Sequence, residues 1–73
     1  MELKAYLLIE TTIGKSLEVA GALRRHVWVK SVERLTGPYD VMALVAGGSE
    51  GEVKEELGRL DGVIRTVICP IFG

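Results

Sequence analysis

Val27-Trp28-Val29-Lys30-Ser31-Val32-Glu33-Arg34-Leu35, then Thr36-Gly37-Pro38-Tyr39-Asp40, then Val41-Met42-Ala43-Leu44-Val45-Ala46: two strand-like runs with a five-residue joint between them. A joint this short predicts an antiparallel hairpin over 27–36 and 40–46. Gly37-Pro38 presets the turn. A hairpin tip needs only turn formers, so the added aromatic and carboxylate of Tyr39 and Asp40 make the joint the first place to seek a small-ligand site. In the upstream run Val27, Val29, Ser31, Glu33 and Leu35 share one face by alternation, and Trp28, Lys30, Val32, Arg34 and Thr36 share the other. The downstream run is apolar on both faces.

Before the hairpin, residues 3–10 (LKAYLLIE) read as a strand with Leu3, Ala5, Leu7 and Ile9 on one face and Tyr6 and Leu8 on the other. Residues 11–14 break it. Residues 15–26 (KSLEVAGALRRH) read as a helix whose buried stripe is Leu17, Ala20 and Leu23. Arg24, Arg25 and His26 would complement its C-terminal dipole. Gly21 costs about 1 kcal/mol inside a helix, which close packing on a sheet would rationalise.

After the hairpin, Gly47-Gly48 ends the strand and Ser49-Glu50-Gly51-Glu52 matches a capping box. A helix over about 50–60 follows, with Val53, Leu57 and Leu60 inward and Asp61-Gly62 closing it. Residues 63–72 (VIRTVICPIF) form a last strand, with Pro70 at its end or at a sheet edge.

The order β-α-β-β-α-β defines a single domain over 1–73 of the α+β class: a ferredoxin-like βαββαβ sandwich, a four-stranded antiparallel sheet with two helices on one face. The uncovered face of such a sheet is polar in a monomer. Here Tyr6 and Leu8, Trp28 and Val32, Met42 and Leu44, Ile64 and Ile68 would populate it. An apolar face of that size implies a partner surface, and face-to-face dimerisation is the strongest physical expectation. Trp28 reads as an anchor of that interface, with a functional aromatic as the other reading.

Composition agrees. A 73-residue chain buries only about 60–65% of its unfolded surface, yet 48% of its residues are hydrophobic and one is cysteine, so association is the available stabiliser. Nine basic and ten acidic residues give a net charge of −1, which argues against direct DNA or RNA binding. No apolar run approaches the ~18 residues of a membrane span, and the N-terminus carries no signal-peptide pattern. The expected location is the cytoplasm.

Catalytic constellations are absent from the sequence. His26 and Cys69 are single; Cys69 reads as a buried inert thiol and His26 as a dipole complement. One His and one Cys make no metal site, and no cofactor is called for. The Gly47–Gly51 glycines lack a phosphate-loop pattern and read as a connector. Arg65 is a cation among apolar neighbours, either a rim residue or a bidentate carboxylate clamp.

Thr36-Gly37-Pro38-Tyr39-Asp40, then strand, helix and Asp61-Gly62-Val63-Ile64-Arg65-Thr66, with Gly14 opening the first helix, resembles the Lrp/AsnC effector-binding module, or RAM domain, over essentially the whole chain. The resemblance implies a ligand-binding, non-enzymatic oligomer. It implies dimers formed through the sheets, assembly into octamers or decamer-like rings, and a small effector, an amino acid or related metabolite, bound between dimers near residues 36–40. Transferred residue by residue, it makes Thr36, Gly37, Tyr39 and Asp40 ligand-binding, with Arg65 and Thr66 facing the same crevice. Gly37 would admit the ligand to the backbone, and Asp40 would receive an α-ammonium. The family's full-length regulators carry an N-terminal helix-turn-helix that this sequence lacks, so a stand-alone form acting on transcription or metabolism through a full-length Lrp/AsnC partner is the implied arrangement. The family's usual Pro-Gly-Val is replaced by Arg25-His26-Val27, and the second helix is short.

The competing readings are a structural oligomeriser without ligand, a small dimeric α+β barrel enzyme, and an amino-acid-binding ACT domain. The enzyme would want a buried His or Tyr pair, which His26 does not supply.

Overall fold

The computed structural model describes residues 3–72. The elements are β1 (Lys4–Thr11), α1 (Ser16–Leu23), β2 (Val29–Arg34), β3 (Val41–Ala46), α2 (Glu50–Arg59) and β4 (Val63–Pro70). They form one antiparallel sheet of order β2-β3-β1-β4 with two helices, the ferredoxin-like α+β arrangement expected from the element order. β1 and β3 are central, and both follow strict alternation: Ala5, Leu7 and Ile9 with Val41, Ala43 and Val45 are buried beneath the helices. Val19, Ala20 and Leu23 of α1 and Val53 and Leu57 of α2 close the core from above.

The Ser49 half of the capping box at α2 forms: Ser49 Oγ accepts from the Glu52 N–H at 3.1 Å, and Gly62, at φ +95°, turns the chain into β4. Pro70 is the last residue of the edge strand β4, where a missing N–H costs no rung.

α1 differs from expectation in length and phase. It ends at Leu23, so Arg24, Arg25 and His26 lie in the following turns rather than in its last turn. Its inward positions are Val19, Ala20 and Leu23, while Leu17 is 63% exposed. The stripe i, i+1, i+4 suits a two-turn helix lying across a sheet as well as i, i+3, i+6 does. Gly21 is not tightly packed: a Cβ there would have no neighbour within 4 Å.

Two register shifts change which residues share a face. β2 pairs with β3 as Val29↔Val45 but Ser31↔Leu44, so Lys30 is an extra residue. β4 pairs with β1 as Thr11↔Val63 but Glu10↔Arg65, so Ile64 is another. Each bulge reverses the alternation beyond it. Val32 and Ile68, expected on the uncovered face, therefore pack against the core. Trp28 lies outside β2 altogether, 8% exposed, in the core beside Gly48 and stacked on His26 with centroids 4.7 Å apart. Its bulk fills the chain's own core.

The uncovered face is nevertheless apolar along β1, β3 and β4, while β2 adds the exposed Ser31 and Glu33. By register it carries Tyr6 and Leu8 of β1, Met42 and Leu44 of β3, and Val67 and Cys69 of β4. Tyr6 is 42% exposed and the others half-buried. Cys69, expected buried, stands there opposite Tyr6.

Candidate functional site

The β2–β3 joint does more than reverse the chain. Leu35 N–H donates to the Asp40 carbonyl at 2.8 Å, closing the hairpin, and Asp40 N–H donates to the Ile9 carbonyl at 2.9 Å, pinning the loop to the end of β1. The Asp40 carboxylate then accepts from the Thr11 N–H through Oδ2 at 2.7 Å. Because β1 lies between β3 and β4, a loop anchored at its end reaches the start of β4. There Tyr39 meets Arg65. Arg65 Nη2 donates to Tyr39 Oη at 3.0 Å, and the guanidinium carbon lies 5.1 Å from the ring centroid. Arg65 Nε also faces Glu10 Oε1 at 3.5 Å, a pair formed because Glu10 and Arg65 are register partners.

Of the residues read as ligand-binding, Tyr39, Asp40 and Arg65 are thus brought together at one end of the uncovered face. Thr36 and Gly37 form the exposed tip of the same loop; Gly37 sits at φ +130° with open space beside it, a conformation glycine alone adopts freely. Thr66 does not share this surface. It stands opposite Ile9, on the helix side of the sheet, and lines a groove of about 620 Å³ between α2 and β4, to which Arg65 also contributes. Glu10 was missed by sequence reasoning. Its signal was parity, since it shares the Tyr6 and Leu8 face, but its pairing with Arg65 depends on the β1–β4 register.

His26 is not a dipole complement. Beyond the stack on Trp28, its Nε2 lies 3.7 Å from Glu56 Oε2 on α2. Among the described residues no group of three His, Cys, Asp or Glu side chains is placed to hold a metal ion, and no helix is long and apolar enough to cross a membrane.

No known family model matches the chain, and no curated protein matches it. Solved structures do. TTHA0845 from Thermus thermophilus is 28% identical with a TM-score of 0.82, over 97% of this chain and 94% of that one. FFRP-DM1 is 20% identical with a TM-score of 0.81, over 96% of this chain and 99% of that one. MtbAldR is 16% identical with a TM-score of 0.72, over 97% of this chain but 52% of its own, so the present chain spans about half of it. These proteins share the fold described above.

Proposed function

We propose that this chain is an Lrp/AsnC-like effector-binding module: a non-enzymatic oligomer that takes a small amino acid or related metabolite at crevices between dimers. The observation that carries the reading is the uncovered sheet face, apolar over Tyr6, Leu8, Met42, Leu44, Val67 and Cys69, ending in the polar cluster of Tyr39, Arg65 and Glu10. Its fold is that of Lrp/AsnC-like proteins such as FFRP-DM1 and MtbAldR, which supports the reading.

Two copies bury their open faces against each other, and dimers associate around the 36–40 loops. An effector bound there stabilises whichever assembly binds it more tightly, because a ligand shifts an equilibrium only through differential affinity. A full-length Lrp/AsnC regulator is the partner that such a shift would act on.

Light scattering with and without each of the twenty amino acids, run beside thermal denaturation, tests this. A multimer whose melting temperature rises with particular amino acids is the expected result, since a ligand of the native state must stabilise it. A monomer, or a multimer indifferent to every amino acid, overturns the ligand-binding part. The second outcome favours a purely structural oligomeriser, a reading that the engagement of the Asp40 carboxylate within its own chain also favours. Pull-down of a full-length regulator by this chain tests the partner.

A further inference from the structure

Resting on that reading, the geometry points to Glu10 and Arg65 as the pair that holds the two charges of an α-amino acid, with Asp40 a positioning residue for the loop. An α-amino acid carries a carboxylate and an ammonium on one carbon, so its receptor needs free donors beside a free acceptor.

Asp40 is the more engaged acid, since one oxygen of its carboxylate already accepts inside the chain. Its N–H, its carbonyl and Oδ2 are all bonded inside the chain, to Ile9, Leu35 and Thr11. The bond to Thr11 N–H, at 2.7 Å, has the length of a strong charge-assisted contact.

Arg65 has donors to spare. A guanidinium carries five N–H groups; Tyr39 engages Nη2 and Glu10 faces Nε. The Nη edge keeps protons for a carboxylate, and the Tyr39 ring beneath fixes the plane of that edge. The Tyr39 hydroxyl, having accepted from Arg65, still has its own proton to donate.

Glu10 supplies the acceptor. Its contact with Arg65 is 3.5 Å long, with the Arg65 side chain 57% and the Glu10 side chain 38% exposed. A charge-assisted bond runs about 2.7–2.9 Å, and an exposed ion pair contributes little. A zwitterion placed between the two replaces one loose pair with two short ones, ammonium to Glu10 and carboxylate to Arg65. The pair carries no net charge, as the ligand carries none. The next rung inward on the same face, Leu8↔Val67, belongs to the surface that the two copies share, so the pair stands at the rim of that interface, where a crevice between copies opens to solvent.

The test uses the full chain and three variants: Glu10→Gln, Asp40→Asn and Arg65→Gln. Each of the twenty amino acids is screened against wild type by thermal shift, and the one giving the largest shift is titrated by calorimetry beside its 2-oxo acid. Asp40→Asn retains an oxygen for Thr11 N–H and is expected to bind within about threefold of wild type. Glu10→Gln is expected to weaken the amino acid about tenfold or more, the loss of a charge-assisted contact, and to narrow the gap to the 2-oxo acid, which has no ammonium. Arg65→Gln weakens both ligands. Loss of binding in Asp40→Asn with retention in Glu10→Gln overturns the assignment while leaving an effector site at the loop. If wild type responds to no amino acid, the effector-binding reading falls and the assignment with it. Circular dichroism of each variant confirms that a lost signal is not a lost fold.

Discussion

Asp40 and Thr11 are 29 positions apart in the chain and joined by a 2.7 Å hydrogen bond from the Thr11 amide to Oδ2. Thr11 is itself buried. At the end of β1 the chain of β3 has already turned into the loop, and a side chain supplies the acceptor. Removing it leaves a buried donor unpaired. Asp40→Ala is therefore expected to destabilise the fold by about 1–3 kcal/mol, and Asp40→Asn, whose amide oxygen can still accept, by less than about 1 kcal/mol. Urea unfolding of the three proteins checks this; equal loss in both variants would assign the effect to charge rather than to the hydrogen bond.

The glycines separate cleanly by surroundings. Gly21 sits inside α1 with an ordinary helical φ, and a Cβ added there would meet no atom within 4 Å. Gly21→Ala is expected to stabilise by about 0.5–1 kcal/mol through helix propensity. Gly62 is the reverse. It holds φ +95°, its carbonyl accepts from Thr12 N–H at 2.8 Å, and a Cβ would stand 2.7 Å from Lys15 Cβ. Gly62→Ala is expected to cost more than about 2 kcal/mol, combining left-handed backbone strain with a clash. Thermal melts that moved in the same direction for both variants would contradict the packing described.

Legibility followed the range of the interactions involved. β1, β3 and the Ser49 cap of α2 were readable because alternation and capping act over a few residues. The hairpin and the element order were readable for the same reason. Straight alternation places Val32 and Ile68, and the resemblance places Thr66, but the bulges at Lys30 and Ile64 set the faces instead. A bulge is chosen by how one strand must sit against its neighbour, and no local composition announces it. Trp28 was read by residue type as an interface anchor, whereas Gly48, 20 positions on, makes room for it inside the core: a Cβ at Gly48 would lie 3.2 Å from Trp28 Cγ. At the site, Tyr39 bonds Arg65 and Asp40 bonds Thr11. Glu10 became visible only with the register.

Lys15 ties the entrance of α1 to the exit of α2. Its Nζ lies 3.4 Å from Asp61 and 3.4 Å from Glu18. The hydrogen bond to Asp61, followed by that to Glu18 and the negative charges of both, raises its pKa above the ordinary 10.5. A cation whose folded pKa is raised contributes stability that is fully present below its unfolded value and is lost as pH rises through the folded value. Unfolding free energy is thus expected to be flat with respect to this group at neutral pH and to decline above about pH 10.5. Lys15→Met should remove that part of the decline, and an unchanged alkaline slope in the variant would refute the assignment. Because the pair is solvent-exposed, added salt should shrink the difference.

Leu44 offers the sharpest test of association. It stands in a central strand, opposite Tyr6 and Ser31, with its side chain on the uncovered face and half-buried in the single chain. Burying such an aliphatic side chain fully contributes about 1.5–3 kcal/mol relative to exposure, and a face-to-face dimer counts the residue twice. Leu44→Glu places a carboxylate where no helix of its own chain packs, so the protomer's core of Leu7, Ile9, Val41 and Val45 is untouched. The expected outcome is a folded protein by circular dichroism, with the mass of a single chain by light scattering across the micromolar range. A conservative Leu44→Met control retains the assembly. Should Leu44→Glu keep the wild-type mass, the sheet face is not where copies meet, and association must run instead through another surface, such as that around the groove between α2 and β4.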